Sequence, residues 1–179
     1  SADGYCRGEG AAALVLGTGG ASLAASAVRC DGRSASLTAP NGGAQKRLLH
    51  AVPGPKNGRL EAHGTGTALG DPVEVGAAQS LKSRVVGSVK GCLGHFEACA
   101  AGCQLLVILA SGAARPNALL RRLNAHLDVN TRFPVDEAPL VPPDSRLSSF
   151  GFSGTIAHAR LEVAREPERR AAPLSLFRR

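Results

Sequence analysis

Methionine and tryptophan are absent from this 179-residue chain, and aromatic residues make up 3% of it, one Tyr and five Phe. Packing therefore falls to Ala, Leu, Val and Gly, which suits close helix-on-sheet contact better than a core built around rings. The missing methionine, with the opening Ser1-Ala2-Asp3, reads as a fragment or a processed chain with no targeting segment ahead of its first strand. No apolar run nears the roughly 20 residues that cross a bilayer, so no membrane span is expected. The cysteines (Cys6, Cys30, Cys92, Cys99 and Cys103) include no C-x-x-C pair and no zinc-like cluster, so no metal is expected. An odd number of them in a chain of this size reads as reduced thiols in an intracellular, cytoplasmic setting.

What is present is ordinary in bulk. Hydrophobic residues are 44% of the chain, enough for one domain with a core. The formal net charge of +7 suits an acidic partner. Much of it lies in Arg160, Arg165, Arg169, Arg170, Arg178 and Arg179, interleaved with Glu162, Glu166 and Glu168. Residues 164–179 read as a solvated basic linker or tail. Scarce stacking aromatics and interleaved acids argue against nucleic acid.

Along the chain, Ala11 to Leu16 and Ala21 to Val28 are apolar runs joined by a glycine-rich turn, which predicts neighbouring antiparallel strands. Asp31 to Gly43 reads as loop. Asp71, Pro72 and Glu74 form a cap, proline and carboxylate start for a helix running through Val75, Ala78 and Leu81. Val85 to Val89 reads as a short buried strand. A second helix is expected from His95 or Phe96 to about Ala110, apolar nearly all round and therefore buried and central. Leu147 to Phe152 and Ile156 to Val163 read as closing strands about a turn at Gly154. The alternation indicates an α/β domain.

Three stretches bear the chemistry: Glu61 to Thr67, Lys90 to Glu97, and Ser149 to Thr155. Each is rich in glycine beside an element end, where backbone and side chains reach a ligand. With Leu69 to Glu74, Asp3 to Gly10, Asp31 to Gly42 and the weaker Leu123 to Asp128, they resemble, in order, the motifs of the β-ketoacyl synthase (ketosynthase) family of polyketide and fatty acid synthases. The resemblance covers residue 2 to about residue 163, the C-terminal part of that domain.

That resemblance implies a thiolase-like layered α/β fold, present incompletely. Residues 1–44 would end the N-terminal half as a strand pair and loop, and residues 45–163 would form a shortened C-terminal half. It implies decarboxylative Claisen condensation, with a malonyl-type unit carried on the phosphopantetheine of an acyl carrier protein and no cofactor held by the chain itself. It assigns His63, His95, Lys90 and Glu97 to the catalytic machinery. The histidines would donate hydrogen bonds to a developing oxyanion, with His95 kept neutral by a helix dipole. Lys90 and Glu97 would be an ion pair that orients the loops. Thr65 and Thr67 would contact the pantetheine arm. Phe152 would be gatekeeper and oxyanion donor, with Phe150 packed beside it.

The chain departs from the pattern in three ways. Nothing matches the family's nucleophilic cysteine motif. Cys92 and Ile156 stand where asparagines are usual, removing two polar supports. Cys99 and Cys103 are expected to be small packing residues in a buried helix. The implied partners are an acyl carrier protein, a missing N-terminal half and, in an intact domain, a second copy. A missing half would expose a sheet edge and a helix face. The rival expectation is an incompetent half that shapes a pocket or binds a partner.

Overall fold

A computed structural model of the chain describes residues 5–18, 20–33, 39–83, 85–110, 116, 117, 119–127, 133–135 and 144–163. Five strands form one mixed sheet in the order β1-β5-β4-β2-β3. They are β1 (Ala21–Cys30), β2 (Arg59–Glu61), β3 (Val85–Gly87), β4 (Asp144–Phe150) and β5 (Thr155–Val163). The helices are α1 (Gly42–His50), α2 (Gly70–Ala78), the single turn α3 (Lys90–Leu93) and α4 (Ala100–Ala110). β2 runs parallel to β3 and β4, while β5 runs antiparallel to β4 and β1. The short parallel strands are buried throughout, as a central sheet covered on both faces demands.

Alternation along β5 shows how the layers are set. Ile156 faces Ala44 and Leu48 of α1, whereas Leu161, an odd number of residues on, packs with Ile108 of α4 and Leu147 of β4. A third cluster joins Leu49, Leu60, Ala77, Ala78, Leu81 and Val86, so α1 and α2 cover one face. Ile156 is 2% exposed, and an apolar side chain suits that position.

The closing hairpin forms with β4 ending at Phe150 rather than Phe152, the expected strand from Val85 to Val89 stops at Gly87, and the helix expected through Leu81 ends at Ala78 and continues as a 3-10 turn over Gln79–Leu81. Ala11 to Leu16 does not form a strand, and β1 pairs with β5 instead. Val15 and Leu16 are 98% and 95% exposed, so the run has no sheet neighbour among the described residues. Within the expected Asp31 to Gly43 loop, Asn41 caps α1, its side chain accepting from Ala44 N at 3.0 Å. The boundary expected at residue 44 falls inside α1, and β1 shares its sheet with β2 to β5.

Asp71 does not cap α2. The flanking residue is Leu69, and Gly70 N bonds Thr67 Oγ1 at 3.1 Å. The second long helix starts at Ala100, after a 3-10 turn over Glu97–Cys99 that Glu97 enters with φ 45°. Nor is it buried all round. Ala100, Gln104 and Ile108, spaced by four, are its buried stripe, while Leu106 and Leu109 are exposed.

The expected tail 164–179 and most of Arg115 to Pro143 lie outside the described residues. Among those described, no helix is long and apolar enough to cross a membrane.

Candidate active site

The site sits where the loops after β2, β3 and β4 meet. His63 follows β2, Lys90 opens the turn after β3, and Phe150 ends β4. The rings of His63 and His95 are 5.4 Å apart, edge to face, and the Phe150 ring lies 5.3 Å from His63.

Each histidine is held through the same nitrogen. Phe150 N–H donates to His63 Nδ1 at 3.3 Å, and Glu97 N–H donates to His95 Nδ1 at 2.8 Å. A neutral imidazole whose Nδ1 accepts carries its proton on Nε2. Both rings therefore keep an Nε2–H donor available. Burial, then the charges of Lys90 and His95, push His63 down to about 3. Burial and Lys90 also lower His95, against the charge of Glu97, which raises it; α4 begins at Ala100, so His95 does not open that helix as expected.

The loops themselves are clamped. His63 N and Gly64 N donate to the two carboxylate oxygens of Glu74 at 2.7 and 2.9 Å, with Gly64 at a left-handed φ of 47°. Glu74 is thus a buried clamp on the histidine loop rather than part of a helix cap, and burial pushes it up to about 7. Asp71 accepts from Gly66 N at 3.1 Å in the same loop. Glu61 accepts from Val89 N at 2.5 Å and pairs with Arg59, fixing the approach to Lys90.

Lys90 and Glu97 are not paired. Glu97 is taken by Arg7 at 3.1 Å and by the Tyr5 hydroxyl at 3.3 Å. Lys90 is 8% exposed, and its Nζ has no hydrogen-bond partner among the described residues. Glu74, Glu61, Cys103 and Asp71 act on it electrostatically, while burial lowers its pKa. The N-terminal segment that captures Glu97 also braces His95. His95 N donates to Cys6 O at 2.7 Å, Gly8 N donates to His95 O at 3.0 Å, and the Tyr5 ring lies 5.0 Å from that of His95.

A cavity of about 350 Å³ opens beside these groups, lined by Thr65, Lys90 and His95 together with Cys6, Asn117 and Phe133. Thr65 Oγ1 lies 3.2 Å from Thr67 Oγ1, and only Thr65 lines the cavity. Phe152 is on the β4–β5 turn, 82% exposed. Cys92 is exposed, with its Sγ 3.6 Å from Pro116 O. Asn117 was not among the expected site residues. Its side chain accepts from Ser88 N and donates to Val86 O and Pro134 O, a bridge the irregular sequence around it does not announce. No group of three or more His, Cys, Asp or Glu side chains among the described residues is arranged to hold a metal.

Residues 20–115 match the family model for the β-ketoacyl synthase C-terminal domain. The chain is 39% identical over 207 residues to a non-reducing polyketide synthase of Penicillium canescens, covering 90% of this chain and 8% of that protein. It is 40% identical over 200 residues to a phenolphthiocerol/phthiocerol polyketide synthase polypeptide of Mycobacterium tuberculosis, covering 93% and 9%. Among solved structures, a ketosynthase domain of oxazolomycin biosynthesis from Streptomyces albus superposes with TM-score 0.74 at 31% identity, over 83% of this chain and 32% of that one. A ketosynthase of the bacillaene polyketide synthase from Bacillus amyloliquefaciens gives 0.70 at 28%, over 82% and 30%. The chain thus spans about a third of those ketosynthase structures and under a tenth of these two curated relatives.

Proposed function

Because the chain belongs to the β-ketoacyl synthase family through its C-terminal domain, we propose that it supplies the decarboxylation side of a ketosynthase site in a cytoplasmic polyketide synthase. The observation that carries this is the His63–His95 pair, neutral and with both Nδ1 atoms occupied by backbone donors. A malonyl-type thioester on the phosphopantetheine arm of an acyl carrier protein loses carbon dioxide when its carbon–carboxylate bond breaks. The freed electron pair becomes an enolate, whose oxygen accepts from the two Nε2–H groups. Donors fixed before the charge develops cost no reorganisation when it appears.

The carbon nucleophile then attacks the carbonyl carbon of an acyl thioester on a cysteine belonging to the rest of the ketosynthase, forming the carbon–carbon bond as the C–S bond breaks and the cysteine leaves as thiolate. Thr65 and Thr67 receive the pantetheine arm, and Phe150 and Phe152 border the acyl side. Lys90 acts by disfavouring a second positive charge on either imidazole. The chain's net charge of +7 favours approach of an acidic carrier protein. A second reading, a partner-binding half without catalysis, draws on the bare apolar surface of Leu14, Val15 and Leu16.

Release of carbon dioxide from a malonyl-pantetheine thioester, measured with the N-terminal two-thirds of a ketosynthase domain added, tests the first reading. Replacing His63 or His95 by Ala is expected to lower release by about 10²–10³-fold. Release from both variants as fast as from the unaltered chain would overturn it.

A further inference from the structure

Asn117 belongs to none of the motifs that carry the chemistry, yet its carboxamide ends on the backbone beside them. β3 is an edge strand of the sheet among the described residues. On its inner side Gly87 O accepts from Ala62 N at 2.8 Å. Backbone groups alternate in direction along a strand, so those of Val86 and Ser88 point outward, where no strand follows among the described residues. Asn117 fills that place. Its Oδ1 accepts from Ser88 N at 3.2 Å and its Nδ2 donates to Val86 O at 3.3 Å, the pair of bonds that one residue of a parallel neighbour would make. Nδ2 also donates to Pro134 O at 3.2 Å, and Asn117 N donates to the same oxygen at 2.8 Å.

Ser88 is where this anchor meets the site. Its Oγ donates to Gly64 O, and its carbonyl accepts from Gly91 N, each at 3.1 Å. A Cβ at Gly64 would lie 2.5 Å from that of Ser88, so the loop carrying His63 rests directly on this residue. Lys90 and His95 follow on the same segment. A shift of Ser88 therefore reaches His63 on one side and the turn toward His95 on the other. Leu120 N donates to Asn117 O at 2.8 Å, which anchors the stretch whose Leu119, Leu120, Leu123 and Leu127 wall the cavity.

We propose that Asn117 is a positioning residue for the histidine pair: standing in for a strand beside β3, it fixes Ser88 and with it the loops of His63 and His95. Its effect on rate rests on the decarboxylation reading above, and its effect on geometry rests on the backbone contacts alone.

Carbon dioxide release is measured at saturating malonyl-pantetheine thioester with the N-terminal two-thirds of a ketosynthase domain added. Asn117→Ala should lower the saturating rate about 10–100-fold, as small misplacements of reacting groups do. Asn117→Asp keeps an oxygen to accept from Ser88 N and loses the two donations. It should fall between, and it decides the matter where Asn117→Ala fails to fold. Leu161→Ala opens space in a core cluster that holds none of the site residues, so it controls for lost stability and should keep the unaltered rate. The imidazole nitrogen resonances of His63 and His95 report geometry without turnover. They should shift in both Asn117 variants and stay in place in Leu161→Ala. Unmoved resonances, an equal loss of rate in Leu161→Ala, or an unaltered rate in the Asn117 variants while His63→Ala is slowed would each overturn the proposal. Release from His63→Ala as fast as from the unaltered chain would instead sink the decarboxylation reading, and the resonances then decide the role of Asn117.

Discussion

Glu74 does more for the candidate site than its place in a helix suggests. Its carboxylate accepts from the N–H groups of both His63 and Gly64 while fully inside the protein. Glu74→Ala leaves two buried donors without an acceptor and should destabilise the chain by about 2–4 kcal/mol, read as a lowered urea midpoint. Glu74→Gln keeps one acceptor oxygen and should lose roughly half of that. Equal losses would mean the clamp is not what Glu74 contributes. At this scale the histidines were legible because glycine-flanked motifs carry them. The partner of Glu97 was not. Arg7 lies 90 residues away, and only the pairing of residues 6 to 8 with His95 brings it within 3.1 Å. Asp71 and Glu74 had the spacing of a helix start, yet their oxygens are claimed by the preceding loop.

Among the elements, α4 shows why periodicity alone misjudges burial. Its composition is apolar on every side, but the sheet covers one stripe and Leu106 and Leu109 stay exposed. Gln104, the polar member of that stripe, is 0% exposed and donates to the carbonyls of Glu61, Ala62 and Ser148. It ties the helix to β2, to the residue before His63 and to β4. Gln104→Leu keeps the volume but strips those carbonyls of their donor. A cost of about 2–3 kcal/mol is expected in thermal unfolding, with faster amide exchange at His63. An unchanged melting point would show that the carbonyls find other partners. The hairpin β4–β5 was legible from alternation and a glycine turn. The strand expected at Ala11 to Leu16 failed for the opposite reason: an apolar run records a buried neighbour without naming it, and β1 finds its own in β5.

For the whole molecule, buried titratable groups set the response to acid. Burial pushes both His63 and His158 down to about 3 from 6.5. Between those values the unfolded chain binds protons that the folded chain refuses, so stability falls as pH drops through the window. Glu74, raised from 4.5 to about 7, opposes this: its contribution falls as pH rises between those values. Two groups against one leave a net loss toward acid between 4.5 and 6.5, steeper below 4.5. Urea midpoints at about pH 7, 5.5 and 4 should fall in that order, and His158→Asn should flatten the decline. A flat profile would contradict the burial of these groups. The most direct test of the site is heteronuclear NMR of the imidazole nitrogens at about pH 7. His63 and His95 should both be neutral with the proton on Nε2. A protonated ring, or a proton on Nδ1 of either, would contradict their role as paired donors.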